Sequence, residues 1–354
     1  MSGHRGVPVY YLRMRIRALF LGIVLLSLPS FIFSQTGDQQ FADLGTCALE
    51  NGQSIQGCRI GYRTFGSLNA QRSNVVVVTT WFLGNSEQAS QAFVGSNSFI
   101  DPAKFYIVAI DAFGDGVSSS PSNSTEQPRM KFPVFSIRDM VNAQHRFLTE
   151  KLNLTHVHAV FGGSMGGMQA LQWAFTYPDY MDRVVAIVPT PRMTSYDLLL
   201  WHSELNAIQS DVEWRGGDYT GRPLIKTVVD IHKLHLQTPT KIVRDTAPNT
   251  YPKFAEADEQ SFHFDPNDEI RQLQAMMQQD VAPGKSIAEM AKMLKPKTLI
   301  VVAQQDMMVN PAPATELAKA AHADLIELTS NCGHLSPGCE AGKVNPAVRA
   351  FLVK

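Results

Sequence analysis

AVFGGSMGGMQALQWAFTYP, residues 159–178, sets one serine, Ser164, between two pairs of glycines. An apolar run precedes the serine and a helix-forming run follows it. Glycine removes the Cβ atom that forbids a tight, strained turn. A strand that turns sharply into a helix around a central serine is a nucleophile elbow, which exposes the serine hydroxyl at the edge of a sheet. Two other glycine-rich loops fail on spacing. No Gly-Lys-Ser/Thr follows, as a Walker phosphate loop requires, and GGSMGG lacks the G-x-G-x-x-G of a dinucleotide fold.

Outward from the elbow, β-branched runs without polar alternation recur at 74–80 and 105–110, in VHAVFGG before the serine, in RVVAIVPT after the next helix and in KTLIVVAQQD near the end. Such runs suit parallel strands buried on both faces. A strand-like pair at 41–47 and 55–65 comes first, and ADLIELTSN gives a shorter last strand. Helical stretches at 137–152, 168–177 and 312–321 separate several of them. The alternation predicts an α/β fold, a mostly parallel sheet flanked by helices. Residues 193–294 break the rhythm with amphipathic stretches rich in Gln, Met and His and no convincing strand. They read as a helical lid inserted over the carboxyl ends of the strands, the edge where open α/β sheets bind ligands. The expected division is therefore a core in two parts, 35–192 and 295–354, with the lid between them.

The chain has 354 residues, 44% hydrophobic and 18% charged, with a formal net charge of −1. That balance suits a globular domain and supplies no field or basic tract to recruit nucleic acid. Residues 1–34 differ: Arg13, Arg15 and Arg17 precede an apolar stretch that runs from Ala18 to Phe33, and Ser34 begins a polar one. This is the order of a secretory signal peptide, with an uncleaved N-terminal membrane anchor as the rival reading. The stretch is short for a span and broken by Pro29, which favours cleavage. Met14 offers an alternative start that would still precede the signal. Export agrees with the four cysteines, which fall as two local pairs, Cys47-Cys58 and Cys332-Cys339. The Asn51-Gly52 step between the first two suits a hairpin turn, and two short disulfides fit an oxidising compartment. A zinc site on Cys332, His334 and Cys339 is the rival, but it lacks a fourth nearby ligand.

A serine hydroxyl needs a base to accept its proton, and the base needs an orienting partner. After an elbow these follow in the order Ser, Asp, His. Asp306 stands just past one predicted strand and His334 just past the last, on the same sheet edge as Ser164. Taken singly, Asp306 reads equally well as a helix cap and His334 as a loop histidine; order and placement make them a triad. His156, His158, His202, His232 and His263 sit at no matching strand end and read as structural or solvent-facing. An oxyanion hole would use the backbone N–H of Met165 and one from the loop after 74–80, with Phe82 preferred and Trp81 next.

GGSMGGMQALQWAFTYPD resembles the elbow signature of the homoserine O-acetyltransferase family of α/β hydrolases. YRTFGSLNAQRSNVVVV from Tyr62, FPVFSIRDMVNAQHRFL from Phe132 and WRGGDY from Trp214 extend the likeness over the chain from about Phe41 onward. The resemblance implies an acyl-serine mechanism in which Ser164, Asp306 and His334 move an acyl group from acyl-CoA to homoserine. It also implies a homodimer through the lid helices, although no apolar stripe here marks one. Two departures stand out. Where the family usually carries an arginine before its WRGGDY element this chain has Leu205, and where an aspartate usually follows the catalytic histidine it has Leu335. Losing charged partners for a zwitterion lowers discrimination on the order of a hundredfold. With Trp81, Leu205 and Leu335 lining the pocket, the expectation is an exported ester hydrolase acting on a small-molecule ester or acyl donor. It would need no metal or organic cofactor and would meet a membrane only through an uncleaved N-terminal segment. The alternative is an O-acyltransferase using homoserine or another hydroxyl acceptor.

Overall fold

The unalternating apolar runs become the middle of an eight-stranded sheet, because strands covered on both faces have no use for polar side chains. The computed structural model describes residues 37–262 and 264–354. The expected signal or anchor at 1–34, the alternative start at Met14 and His263 lie outside the described residues. In chain order the strands are β1 (Gln40–Ala48), β2 (Ser54–Phe65), β3 (Val75–Thr79), β4 (Tyr106–Ile110), β5 (Val157–Gly163), β6 (Met181–Ile187), β7 (Lys297–Ala303) and β8 (Asp324–Leu328). Across the sheet the order is β1-β2-β4-β3-β5-β6-β7-β8. β1 and β2 form an antiparallel hairpin, β2 pairs antiparallel with β4, and the remaining pairings are parallel. The hairpin turns at Gly52 with φ +83°, and Cys47 is bonded to Cys58 across it.

β3 lies between β4 and β5, so the strand order reverses there. The helices that follow β3 and β5 pack on opposite faces of the sheet, which makes this the topological switch point at which open α/β sheets bind ligands. α1 (Ser86–Phe93), α2 (Ile137–Arg146) and α3 (Met165–Thr176) follow β3, β4 and β5. Asn85 and Ser136 begin α1 and α2 with reciprocal capping boxes, each satisfying two otherwise orphaned N–H groups. The sequence pattern starts the third helix at Met168; it begins three residues earlier, with Gly166 and Gly167 inside its first turn.

Between β6 and β7 run α4 (Ser195–Ser210), α5 (Lys226–Leu236), α6 (Pro239–Asp245), α7 (Tyr251–Ser261), α8 (Pro266–Met277) and α9 (Ile287–Met293). Burial divides them sharply. α7 buries no residue, whereas α8 buries most of its length, including Asn267, Asp268, Glu269, Arg271 and Gln272. A helix so polar can be buried only if its side chains find partners. Arg271 donates to the carbonyls of Phe132 and Met130, and Asn267 to that of Gly217. α10 (Ala312–Ala320), the single turn α11 (Ser336–Cys339) and α12 (Ala341–Val353) complete the chain. Among the described residues no helix is long and apolar enough to cross a membrane.

Candidate active site

Ser164 occupies the turn between β5 and α3 with φ +57° and ψ −124°. A non-glycine residue holds such a conformation only when its surroundings over-determine it. Here its N–H donates to Ile187 O on β6 at 2.8 Å, while the chain on both sides packs too closely for a side chain. A Cβ on Gly162 would lie 2.1 Å from Gly166 O, and one on Gly166 would lie 2.5 Å from Thr79 O. The Thr79 hydroxyl fills the remaining gap by donating to Gly166 O at 2.8 Å. Strand, elbow and helix are thus locked to the end of β3.

Asp306 and His334 reach the same edge from β7 and β8. His334 Nε2 lies 2.8 Å from Ser164 Oγ, and its Nδ1 lies 2.7 Å from Asp306 Oδ2. The other oxygen of Asp306 accepts the backbone N–H groups of Met308 and Val309, both at 2.9 Å. Asp306 and His334 are buried. With Nδ1–H donated to the carboxylate, Nε2 presents its lone pair to the serine hydroxyl. The three residues assembled from sequence order are therefore in one hydrogen-bonded line. The turn that carries His334 is bracketed by the Cys332–Cys339 disulfide, and Gly333, with φ +65°, packs against the backbone of Gln237 and Thr238. Both sulfurs of the zinc alternative are consumed by that bond, and both nitrogens of His334 are engaged, so the zinc reading is withdrawn.

The two donors expected for an oxyanion hole are placed as follows. Met165 is the first residue of α3, so its N–H has no carbonyl four residues back within the helix. In the loop after β3, Leu83 N–H donates to Gln272 Oε1 at 2.7 Å and Gly84 N–H to Trp81 O at 3.0 Å. Phe82 N–H has no acceptor among the described residues. Its ring contacts those of Trp201 and His232, with centroids 5.8 and 6.0 Å apart.

The three residues read as pocket wall part company. Trp81 packs edge-on against Phe93 at 5.5 Å and lies over Gly84, in the apolar cluster on the other side from Phe82. Leu205 is half-buried against the main core. Leu335 is exposed, at 39%, directly after His334.

Sequence reasoning missed a group of polar residues on the inserted helices. Glu204 on α4 and Glu269 on α8 are buried, and Glu204 Oε1 lies 3.3 Å from His232 Nδ1 on α5. Burial, and then the neighbouring Glu204, push the Glu269 carboxyl well above the usual range. His232, read as structural or solvent-facing, thus joins α5 to α4 beneath the Phe82 ring. Gln272 on α8 was missed as well, and no pattern in NDEIRQLQ separates these residues from an ordinary solvated face.

The chain matches the model of the alpha/beta hydrolase fold family over residues 82–337. It is 33% identical to an ethyl acetate hydrolase of Pseudomonas veronii over 199 residues, 55% of this chain and 56% of the relative. A probable esterase of Corynebacterium glutamicum is 33% identical over 186 residues, 52% and 53% of the two chains. The chain thus spans about half the length of these two relatives. Against a homoserine O-acetyltransferase of Methanococcoides burtonii the identity is 26% over 352 residues, 87% of this chain and 72% of the relative. Among solved structures, the acetyl esterase MekB superposes with a TM-score of 0.84 at 26% identity, covering 90% of this chain and 97% of that one.

Proposed function

The chain belongs to the α/β-hydrolase fold family, and from that premise we propose that it is an exported serine esterase on a homoserine O-acetyltransferase-like scaffold, working through an acyl-serine intermediate. The observation that carries the reading is the unbroken line Ser164–His334–Asp306, with spacings of 2.8 and 2.7 Å. In the first half-reaction Ser164 Oγ attacks the ester carbonyl while His334 Nε2 takes the hydroxyl proton. Asp306 holds the imidazole in register and stabilises the imidazolium. The carbonyl oxygen, now an alkoxide, accepts from Met165 N–H and Phe82 N–H. Collapse expels the alcohol, which leaves with the proton held by His334. Water then repeats the sequence on the acyl-serine, releasing the acid and restoring the serine.

Hydrolysis is favoured over transfer by two departures from the family pattern in the sequence. A selective homoserine site needs charged partners for a carboxylate and an ammonium, and Leu335 and Leu205 are uncharged at the two positions where the family resemblance expects them. The likeness to an acetyl esterase and an ethyl acetate hydrolase supports a short acyl group. The helices of 193–294 act as the lid. Export rests on the N-terminal pattern together with the two disulfides, which are characteristic of oxidising compartments.

The second reading, an O-acyltransferase, is favoured by the extent of the likeness to the Methanococcoides protein. Following the acetyl group from p-nitrophenyl acetate, with and without L-homoserine, separates the two. Acetate alone, at a rate indifferent to homoserine, is the expected result. Accumulation of O-acetylhomoserine overturns the hydrolase reading.

A further inference from the structure

We infer that Gln272, on the inserted helix α8, is a positioning residue that sets the oxyanion loop after β3. The inference rests on the acyl-serine reading and deepens it. Gln272 is fully buried, and its amide bridges two backbone segments remote in sequence. Its Oε1 accepts from Leu83 N–H at 2.7 Å, and its Nε2 donates to Phe113 O, beyond β4, at 2.9 Å. The chain makes room for the bridge. Gly114 has φ +77°, and a Cβ there would meet Gln272 Cγ at 3.0 Å, Phe135 at 3.1 Å and Asp268 O at 3.4 Å.

The consequence falls on the peptide that follows Phe82, the proposed second oxyanion donor. Leu83 has φ +60°, a left-handed conformation that a branched side chain seldom takes. By accepting the Leu83 N–H, Gln272 fixes the Phe82–Leu83 peptide plane at the entry to that turn. The capture also chooses the donor: Leu83 N–H is committed to Gln272 and Gly84 N–H to Trp81, which leaves Phe82 N–H for the developing oxyanion. An extended Leu83 would rotate the Phe82–Leu83 peptide and carry Phe82 with it. A donor moved by about an ångström forfeits on the order of a hundredfold in rate. Because ground-state binding does not use the oxyanion, the loss falls on kcat and leaves KM in place.

The test compares wild type with Gln272→Ala and Gln272→Met in acylation by p-nitrophenyl acetate, per site titrated with a phosphonylating probe. Met is close to isosteric, so it carries the test if the alanine variant does not fold. Acylation is expected to fall about tenfold to a hundredfold with KM changed less than about threefold. Affinity for an aryl trifluoromethyl ketone, which forms an oxyanion on Ser164, is expected to fall by the same factor. A folded Met variant with unchanged kcat per site and unchanged ketone affinity overturns the inference, even if its melting temperature drops, because Gln272 would then be structural only. Wild type that is not acylated at Ser164 overturns the esterase reading itself, a result distinct from equal acylation in wild type and variant.

Discussion

Asp306→Asn is the perturbation that most sharply separates a working relay from three residues that merely touch. The two carboxylate oxygens have different duties: Oδ1 is held by the N–H groups of Met308 and Val309, and Oδ2 faces His334 Nδ1 at 2.7 Å. An asparagine must keep its carbonyl oxygen on the two backbone donors, since a flip would aim an NH₂ group at them. Its NH₂ therefore faces His334 and donates to Nδ1. The imidazole is driven to the other tautomer, with its proton on Nε2, and can no longer accept from Ser164 Oγ. Loss of the base through the wrong tautomer lowers kcat about 10⁴-fold, or about 5 kcal/mol of transition-state stabilisation. The shape and both backbone bonds survive, so the melting temperature and KM should change little. Steady-state kinetics with p-nitrophenyl acetate beside a thermal melt makes the measurement. Activity within tenfold of wild type would refute the assigned tautomer, and with it the role given to Asp306.

Three further outcomes follow from the same geometry. Gly162→Ala would place a Cβ 2.1 Å from Gly166 O and 2.4 Å from Thr79 Oγ1; a destabilisation of about 3 kcal/mol in a denaturant melt and a loss of activity of about a hundredfold are expected. Replacing Cys332 and Cys339 together by serine opens a link of sequence separation 7, with an expected loss of about 2–3 kcal/mol in melts and a larger loss of kcat than of KM, because the turn between them carries His334. Asp268, pushed up to about 8 by burial first and the Asp265 charge second, gives stability a pH slope. The folded state holds a proton that the unfolded chain has already released, so stability declines as pH rises from about 4 towards 8. Asp268→Asn should flatten part of that decline, with Glu269 retaining a slope of the same sign, and melting temperatures across pH 5–8 check it; an unchanged slope contradicts the burial argument.

The sheet was legible because its strands are buried on both faces, and uninterrupted β-branched runs such as VVVVT in β3 mark that condition directly. The elbow was legible because glycines flank Ser164 where a Cβ would strike backbone. Asp306 and His334 followed from chain order at strand ends, a topological argument that needs no side-chain contact. α1 and α12 escaped for opposite reasons: SEQASQAF is mostly polar, and AGKVNPAVRAFLV carries Pro346 inside the helix. The burial of α8 was illegible on physical grounds. Several of its polar residues bond to groups far away in sequence, with Gln272 separated from Leu83 by 189 residues and from Phe113 by 159. Periodicity reports solvent exposure only when polar side chains face water, and on this helix many of them face backbone.

The most direct measurement is mass spectrometry of protein quenched in acid during turnover of p-nitrophenyl acetate, with Ser164→Ala treated in parallel. The expected result is a single acetyl group on the peptide that contains Ser164, formed as fast as the p-nitrophenol burst and absent from the variant. An acetyl group found elsewhere, or turnover that survives Ser164→Ala at the wild-type rate, would contradict the acyl-serine mechanism.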